Sequence, residues 1–241
     1  MININQVYKS VLVVLQQEKR GVLTPVEFNK VATQAQQEIF IEYFDELNQL
    51  LRQPQTSLAY ADRYALLDEK IQIFKRTEEL QTDAASKVTP TVAVQELGSV
   101  IYFATSASEG REAQRIQKYE VYTTNQSPLT SPSERYPVYT YENNVIQLYP
   151  TSIGVPSPAF NNVHLNFLKY PTDVKWGFTI DTELGNYIYN EQSSVNFELH
   201  QSDEPLLVDK ILGYAGVMTR DQLALQLAAG KEQQIDIDGQ K

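Results

Sequence analysis

The chain has 241 residues, a formal net charge of −10 and no cysteine, enough length for one large domain or two small ones with a substantial buried core. The missing thiols exclude disulfides, thiolate metal sites, zinc fingers and a cysteine nucleophile. The acidic balance argues against a surface that wraps nucleic acid through clustered Lys and Arg, although it suits one past which DNA slides without sticking.

Residues 5–19 place Val7, Tyr8, Val11, Leu12, Val14 and Leu15 at helical spacing ahead of Gly21, a natural stop, and predict a first short helix. A second helix carries its own start signal. Thr24 is a good N-cap, Pro25 suits the first turn because its missing N–H needs no partner there, and Glu27 closes a capping box. This helix is expected to run from Pro25 to about Arg52 and to halt before Pro54, whose ring disfavours helical geometry in the preceding residue. Its Gln34, Gln36, Gln37, Phe40, Tyr43 and Phe44 suit a helix packed on more than one side. A third helix starts near Ser57 and lines up Leu58, Ala61, Tyr64, Ala65, Asp68, Ile71 and Phe74 or Lys75, broadened by Leu66 and Leu67.

Around residues 84–87 the pattern changes. Val88, Thr89, Thr91, Val92 and Val94 are β-branched, and 97–105 reads as a buried strand. Further strands are predicted over 116–124, 138–141, 145–149, 163–170 and 195–199, with a hairpin at Asn143-Asn144 because Asn tolerates positive φ. Pro-, Ser- and Asn-rich connectors near Pro128, Pro132, Pro150 and Pro156 read as surface loops. The chain then returns to helix: Ser202 or Asp203 caps, Pro205 falls in the first turn, and Leu206, Leu207, Ile211 and Leu212 lead to a stop at Gly216. Thr219-Arg220-Asp221-Gln222 opens a second cap ahead of Leu223, Leu225, Leu227 and Ala228.

The order of helices, sheet and helices predicts an α+β fold. A helical region over 1–86 receives 203–230, a central antiparallel β-rich domain spans 87–202, and 231–241 forms a flexible tail. No apolar run approaches the roughly 20 residues needed to span a bilayer, and Met1 to Gln6 lacks a basic stretch followed by an apolar one. The chain is therefore expected to be neither secreted nor membrane-spanning. Fifteen Tyr and nine Phe beside one Trp and two Met suit sheets and interfaces.

No motif carries obvious chemistry. Glu38, Glu42, Asp45 and Glu46 repeat along one helix, but carboxylate metal bundles need Glu-x-x-His pairs, and the two histidines, His164 and His200, lie in the predicted sheet region. A solvated helix face is the simpler reading. Neither histidine has a Ser or acidic partner at motif spacing. Asp236-Ile237-Asp238-Gly239 matches part of a calcium loop without its bidentate Glu, and the glycines form no phosphate cradle. The segment 170–178 around Trp176 is expected to be an aromatic plug at a strand end rather than a ligand platform.

Three stretches carry a resemblance. Gly21-Val22-Leu23-Thr24-Pro25-Val26-Glu27-Phe28-Asn29, with Ala35-Gln36-Gln37-Glu38-Ile39-Phe40 and Tyr43-Phe44-Asp45-Glu46-Leu47-Asn48, resembles the N-terminal region of virion structural proteins from tailed phages of Bacteroidetes, including the crAss-like group. Leu168-Lys169-Tyr170-Pro171 through Trp176-Gly177 is similar to the same group, as is Asp203-Glu204-Pro205-Leu206-Leu207-Val208-Asp209-Lys210-Ile211-Leu212-Gly213-Tyr214-Ala215-Gly216-Val217 with Arg220-Asp221.

The resemblance implies a head-to-tail connector: a ring of about twelve copies stacked beneath the portal, without enzymatic activity, cofactor or metal. Its expected partners are copies of itself, the portal protein, neighbouring tail or ring proteins, and double-stranded DNA passing through without sequence-specific contact. The expected location is the head–tail junction of a virion made in the host bacterial cytoplasm. Such adaptors dock an extended C-terminal segment on a neighbour, which here points to Leu223, Leu227, Ile235 and Ile237. The alternatives are another virion component, either tail-tube or capsid-associated, and an enzyme acting on glycans. The latter needs paired carboxylates at the open end of the sheet, for which Glu183 and Glu191 are the candidates.

Overall fold

Thr24, Pro25 and Glu27 do start the second helix. In the computed structural model the Thr24 hydroxyl donates to Glu27 Oε2 at 2.6 Å, the Thr24 N–H reaches the same oxygen at 3.0 Å, and the Glu27 N–H points back to Thr24 Oγ1 at 3.4 Å. These bonds hold the Glu27 carboxyl below the ordinary range. The structure describes residues 1–17, 23–52, 58–156, 159–181, 183 and 185–219. Its contacts divide the chain into two compact units, one formed by 1–73 with 171–241 and the other by 74–170. Together they make an α+β protein.

The first unit contains α1 (Ile4–Gln17), α2 (Pro25–Arg52), α3 (Leu58–Ile71) and α5 (Glu204–Thr219), together with a two-stranded hairpin, β9 (Phe178–Ile180) and β10 (Tyr187–Tyr189). Its core gathers Val7, Val11, Phe28, Ala32, Ala35, Ile39, Phe40, Phe197, Leu207 and Ile211. Small Ala32 and Ala35 let neighbouring segments close on α2, and three polar side chains on one face of α2 pair with an extended segment. Asn29 accepts from the Trp176 N–H at 2.7 Å, Thr33 donates to Val174 O at 3.4 Å, and Gln36 donates to Thr172 O at 2.8 Å. The fully buried Gln36 also accepts from the Glu198 N–H at 2.9 Å. Helix side chains thus satisfy backbone that would otherwise need a sheet partner.

The second unit stacks two four-stranded sheets on a shared core. One has the order β1-β8-β3-β4, where β1 is Lys75–Leu80, β3 is Val94–Tyr102, β4 is Arg111–Glu112 and β8 is Val163–Lys169. The other has the order β2-β7-β6-β5, from β2 (Lys87–Val88), β5 (Gln114–Arg115), β6 (Val138–Glu142) and β7 (Val145–Tyr149). Val100, Tyr102, Val163, Leu165 and Phe167 from the first sheet meet Val88, Tyr139, Ile146 and Leu148 from the second. The β6–β7 turn is the expected one, with Asn143 and Asn144 at φ of 56° and 61°. One pair departs from the antiparallel expectation: β5 runs parallel to β6.

Several expected elements differ. Residues 116–124 are not a strand; they lead into helix α4 (Lys118–Gln126), started by the Glu120 carboxylate accepting from the Gln117 N–H at 3.0 Å. Its β-branched Thr124 donates its hydroxyl to Glu120 O at 2.8 Å, the i−4 back-bond open to Thr on a helix. Residues 195–199 alternate buried Phe197 and Leu199 like a strand, yet make only isolated pairings, Val195 with Lys175 and Phe197 with Ile2. The third helix ends at Ile71, and 75–80 joins the β-sheet through β8, so the first boundary falls at 73/74 rather than 86/87. Residues 171–202 belong with the helices for the reason given above: α2 satisfies their backbone. Gly216 does not stop α5, which runs through it to Thr219. The predicted stop at Gly21, the Thr219-Arg220-Asp221-Gln222 cap and the 231–241 tail involve residues outside the described ones.

Candidate interaction surface

The carboxylates that repeat along α2 are tied into packing with α5 and α3. Lys210 of α5, its side chain only 5 % exposed, donates to Glu42 at 2.8 Å and lies 3.6 Å from Glu38. Tyr214 donates to Glu38 at 2.9 Å, and Arg63 lies 4.0 Å from Glu46. Asp45 is exposed. Beside this seam the Tyr43 hydroxyl donates to Asp203 Oδ2 at 2.5 Å, and Lys70 donates to Asp203 Oδ1 at 2.7 Å while standing over the Tyr43 ring. Burial, then the Asp203 bond, push the Tyr43 hydroxyl pKa upward. The repeat is therefore only partly the solvated face expected of it: Glu38 and Glu42 fasten α5.

The histidines sit in local structural roles. His164 lies in β8 between β1 and β3, its ring against Phe103 and its Nε2 3.9 Å from Glu79. His200, which shows no Ser or acidic partner at motif spacing in the sequence, has both in the structure: its Nδ1 lies 2.8 Å from Ser202 Oγ and accepts from the Ser202 N–H at 3.3 Å, capping a single turn, and its Nε2 lies 3.9 Å from Glu69. Among the described residues no group of three or more His, Asp or Glu side chains is placed to hold a metal ion. Every buried side-chain nitrogen or oxygen among them has a hydrogen-bond partner. Glu183 stands exposed in the β9–β10 loop and Glu191 exposed in the turn after β10. No helix among the described residues is long and apolar enough to cross a membrane.

Trp176 anchors an aromatic ridge that leads outward. Its indole packs on Tyr8, Phe178 and Tyr189, Tyr8 packs on Phe28, and its Nε1–H donates to Asn5 Oδ1 at 3.2 Å. The ridge continues along one face of the hairpin, where Phe178 pairs with Tyr189 and Ile180 with Tyr187. Ile180 at the far end is 60 % exposed, and Ile188 on the opposite face is 53 % exposed. The root is fixed by the Asn190 N–H to Gly177 O bond, at 2.9 Å, and by the glycine itself: a Cβ on Gly177 would lie 2.8 Å from Asn190 O and 2.1 Å from Ser193 Oγ. Sequence reasoning identified the aromatic plug but missed the hairpin. Its signal was present in the alternation of Phe178-Thr179-Ile180 and Tyr187-Ile188-Tyr189 around Gly185, which has a φ of 67°.

A second exposed surface belongs to the β-rich unit. Tyr119 and Tyr122 share one side of α4 and are 74 % and 75 % exposed, and Leu129 and Tyr136 protrude from the following connection. Arg135 stands over the Tyr136 ring, and Arg111 donates to Glu134 O at 3.1 Å. Next to α4 an open depression of about 390 Å³ is lined by Gly98, Glu112, Ala113, Gln114, Arg115 and Tyr139. No family model matches the chain, and no curated protein matches it.

Charge is divided unevenly between the units. The first carries 12 Lys and Arg against 21 Asp and Glu, and the second 8 against 9. Between Lys175 and Lys210 there is no cation at all, while the same stretch holds Asp181, Glu183, Glu191, Glu198, Asp203, Glu204 and Asp209. Nearly all of the acidity thus resides in the helical unit. The candidate docking residues Leu223, Leu227, Ile235 and Ile237, and the 236–239 fragment, lie outside the described residues.

Proposed function

We propose that this chain is a non-enzymatic structural subunit of a phage head-to-tail connector, assembling as a ring of about twelve copies beneath the portal. One observation carries the reading on the structural side. Glu38, Glu42, His164 and His200, singled out in the sequence, are engaged in local contacts, Asp45, Glu183 and Glu191 are exposed, and large aromatic and aliphatic side chains stand exposed on two surfaces. Contiguous exposed apolar area marks interaction sites, and Tyr is the residue most suited to such contacts. The resemblance of 21–48, 168–177 and 203–221 to Bacteroidetes phage virion proteins supplies the kind of assembly. The acidic helical unit suits a wall along which DNA slides without adhering. In this reading the segment around Leu223, Leu227, Ile235 and Ile237 docks on a neighbouring ring or on the portal.

Truncation after Gly230 tests that docking. The shortened chain should keep its circular dichroism and unfolding midpoint but bind purified portal at least about tenfold more weakly. Binding equal to that of the full chain would contradict the assignment of the tail.

A further inference from the structure

We propose that the outer edge of β1 pairs with the same edge of a second copy of this chain, antiparallel and centred on Thr77, so that the two sheets join into one. The pairing concerns the free chain and does not rest on the ring reading, because a two-fold contact joins copies in twos and closes no ring.

β1 stands at the end of its sheet, in the order β1-β8-β3-β4, and among the described residues only β8 pairs with it. The ladder fixes which backbone groups face outward. The Ala113 N–H to Val100 O bond turns the backbone of Val100 and Tyr102 toward β4, and hence that of Ser99 and Ile101 toward β8. Asn166 and His164 answer them, which leaves Phe167, Leu165 and Val163 to bond Arg76, Glu78 and Leu80. The N–H and C=O groups of Thr77 and Glu79 therefore point out of the sheet, with Lys75 at the start of the same row. Such a row is a template for a further strand.

The order of charges selects that strand. Lys75-Arg76-Thr77-Glu78-Glu79 is antisymmetric about its middle, with two cations before Thr77 and two carboxylates after it. Antiparallel pairing centred on Thr77 sets Lys75 opposite the second copy's Glu79 on one face and Arg76 opposite its Glu78 on the other, each contact occurring twice. Outward groups also meet outward groups in this register. The neighbouring registers of the same parity put Arg76 on Arg76 or Glu78 on Glu78, and parallel pairing in register puts every charge on its like. No net charge is needed. Arg76 lies 3.3 Å from its own Glu78, and the second copy extends that alternation of sign.

Charge exchange in the full chain tests the register. Lys75→Glu and Glu79→Lys each set like charges opposite one another, and each should pair about tenfold more weakly than the parent. The readout is mass rising from 27.4 kDa toward twice that value, below the concentration at which larger species form. An equimolar mixture of the two variants should regain parental strength as mixed pairs, because every cross-strand contact again joins opposite charges. Positions 75 and 79 of one strand are about 13 Å apart, so a purely internal role predicts no such recovery. The chain lacks cysteine, and Thr77→Cys adds a single thiol at the centre of the pairing. On oxidation it should give a disulfide-linked two-chain species, about tenfold more slowly when Glu79→Lys is also present. Unchanged unfolding midpoints verify the fold; where Lys75→Glu lowers the midpoint, the two Thr77→Cys chains carry the test. Glu79→Lys pairing at parental strength, or folded variants that form no mixed pairs, would overturn the pairing and leave the ring reading standing. A parent that forms no two-chain species, with a Thr77→Cys thiol that stays unlinked, would overturn it as well.

Discussion

Asp203→Ala is expected to destabilise the protein by about 3 kcal/mol, the scale for deleting one partner of a buried charged network. Its carboxylate accepts from Tyr43 and from Lys70, and all three groups lie where α5 meets α2 and α3. Alanine leaves the Tyr43 hydroxyl, on a residue only 3 % exposed, without an acceptor. Asp203→Asn keeps an acceptor and should cost about half as much. Tyr43→Phe removes donor and desolvation cost together and should cost about 1 kcal/mol. The pH dependence follows from the raised Tyr43 pKa. The fold favours the protonated phenol, so this contribution is complete below the ordinary tyrosine range and is lost as pH rises through the raised value. Tyr43→Phe should therefore flatten the alkaline limb of the stability profile. Urea unfolding with an unchanged slope reads all three variants; an Asp203→Ala shift within about 0.5 kcal/mol would mean that the network does not hold α5.

Trp176→Ala should be costlier still, at about 3–5 kcal/mol. The indole joins Tyr8 to Phe178 and Tyr189 and satisfies Asn5, so its removal opens a cavity beneath the hairpin and strips it of its inner support. Trp176→Phe, which retains most of the packing but not the hydrogen bond, should lose less than half as much. Hydrogen exchange gives the local readout: in Trp176→Ala the amides of β10 should exchange at least about tenfold faster, because local opening no longer has to break the aromatic stack. Unchanged exchange there would mean that the Trp176 cluster does not hold the hairpin.

These effects show what was legible in the sequence and what was not. The start of α2 was readable because Thr24, Pro25 and Glu27 interact within one turn, and the Asn143-Asn144 turn because its geometry is set by its own residues. Strand β8 was readable from its alternation of Val163, Leu165 and Phe167. By contrast, 116–124 reads as a strand because Val121, Thr123 and Thr124 carry strand propensity, whereas the chain forms α4 with a Gln117–Glu120 capping box at its start. Residues 195–199 show strand periodicity without a sheet because Gln36, far away in sequence, takes the Glu198 N–H. The same separation hid the polar seam. Glu38 and Glu42 look solvated when α2 is read alone, and only folding brings Lys210 to them. Glu183 was visible as an acidic residue, but its place in the loop of an exposed hairpin depends on the Trp176 core and the tight root at Gly177.

The most direct measurement is the mass of the full chain across a concentration series, with low-resolution imaging of the largest species. The connector reading predicts a closed ring of about twelve copies that accumulates as concentration rises and binds purified portal. A chain that holds at 27.4 kDa throughout, alone and with portal, would contradict it.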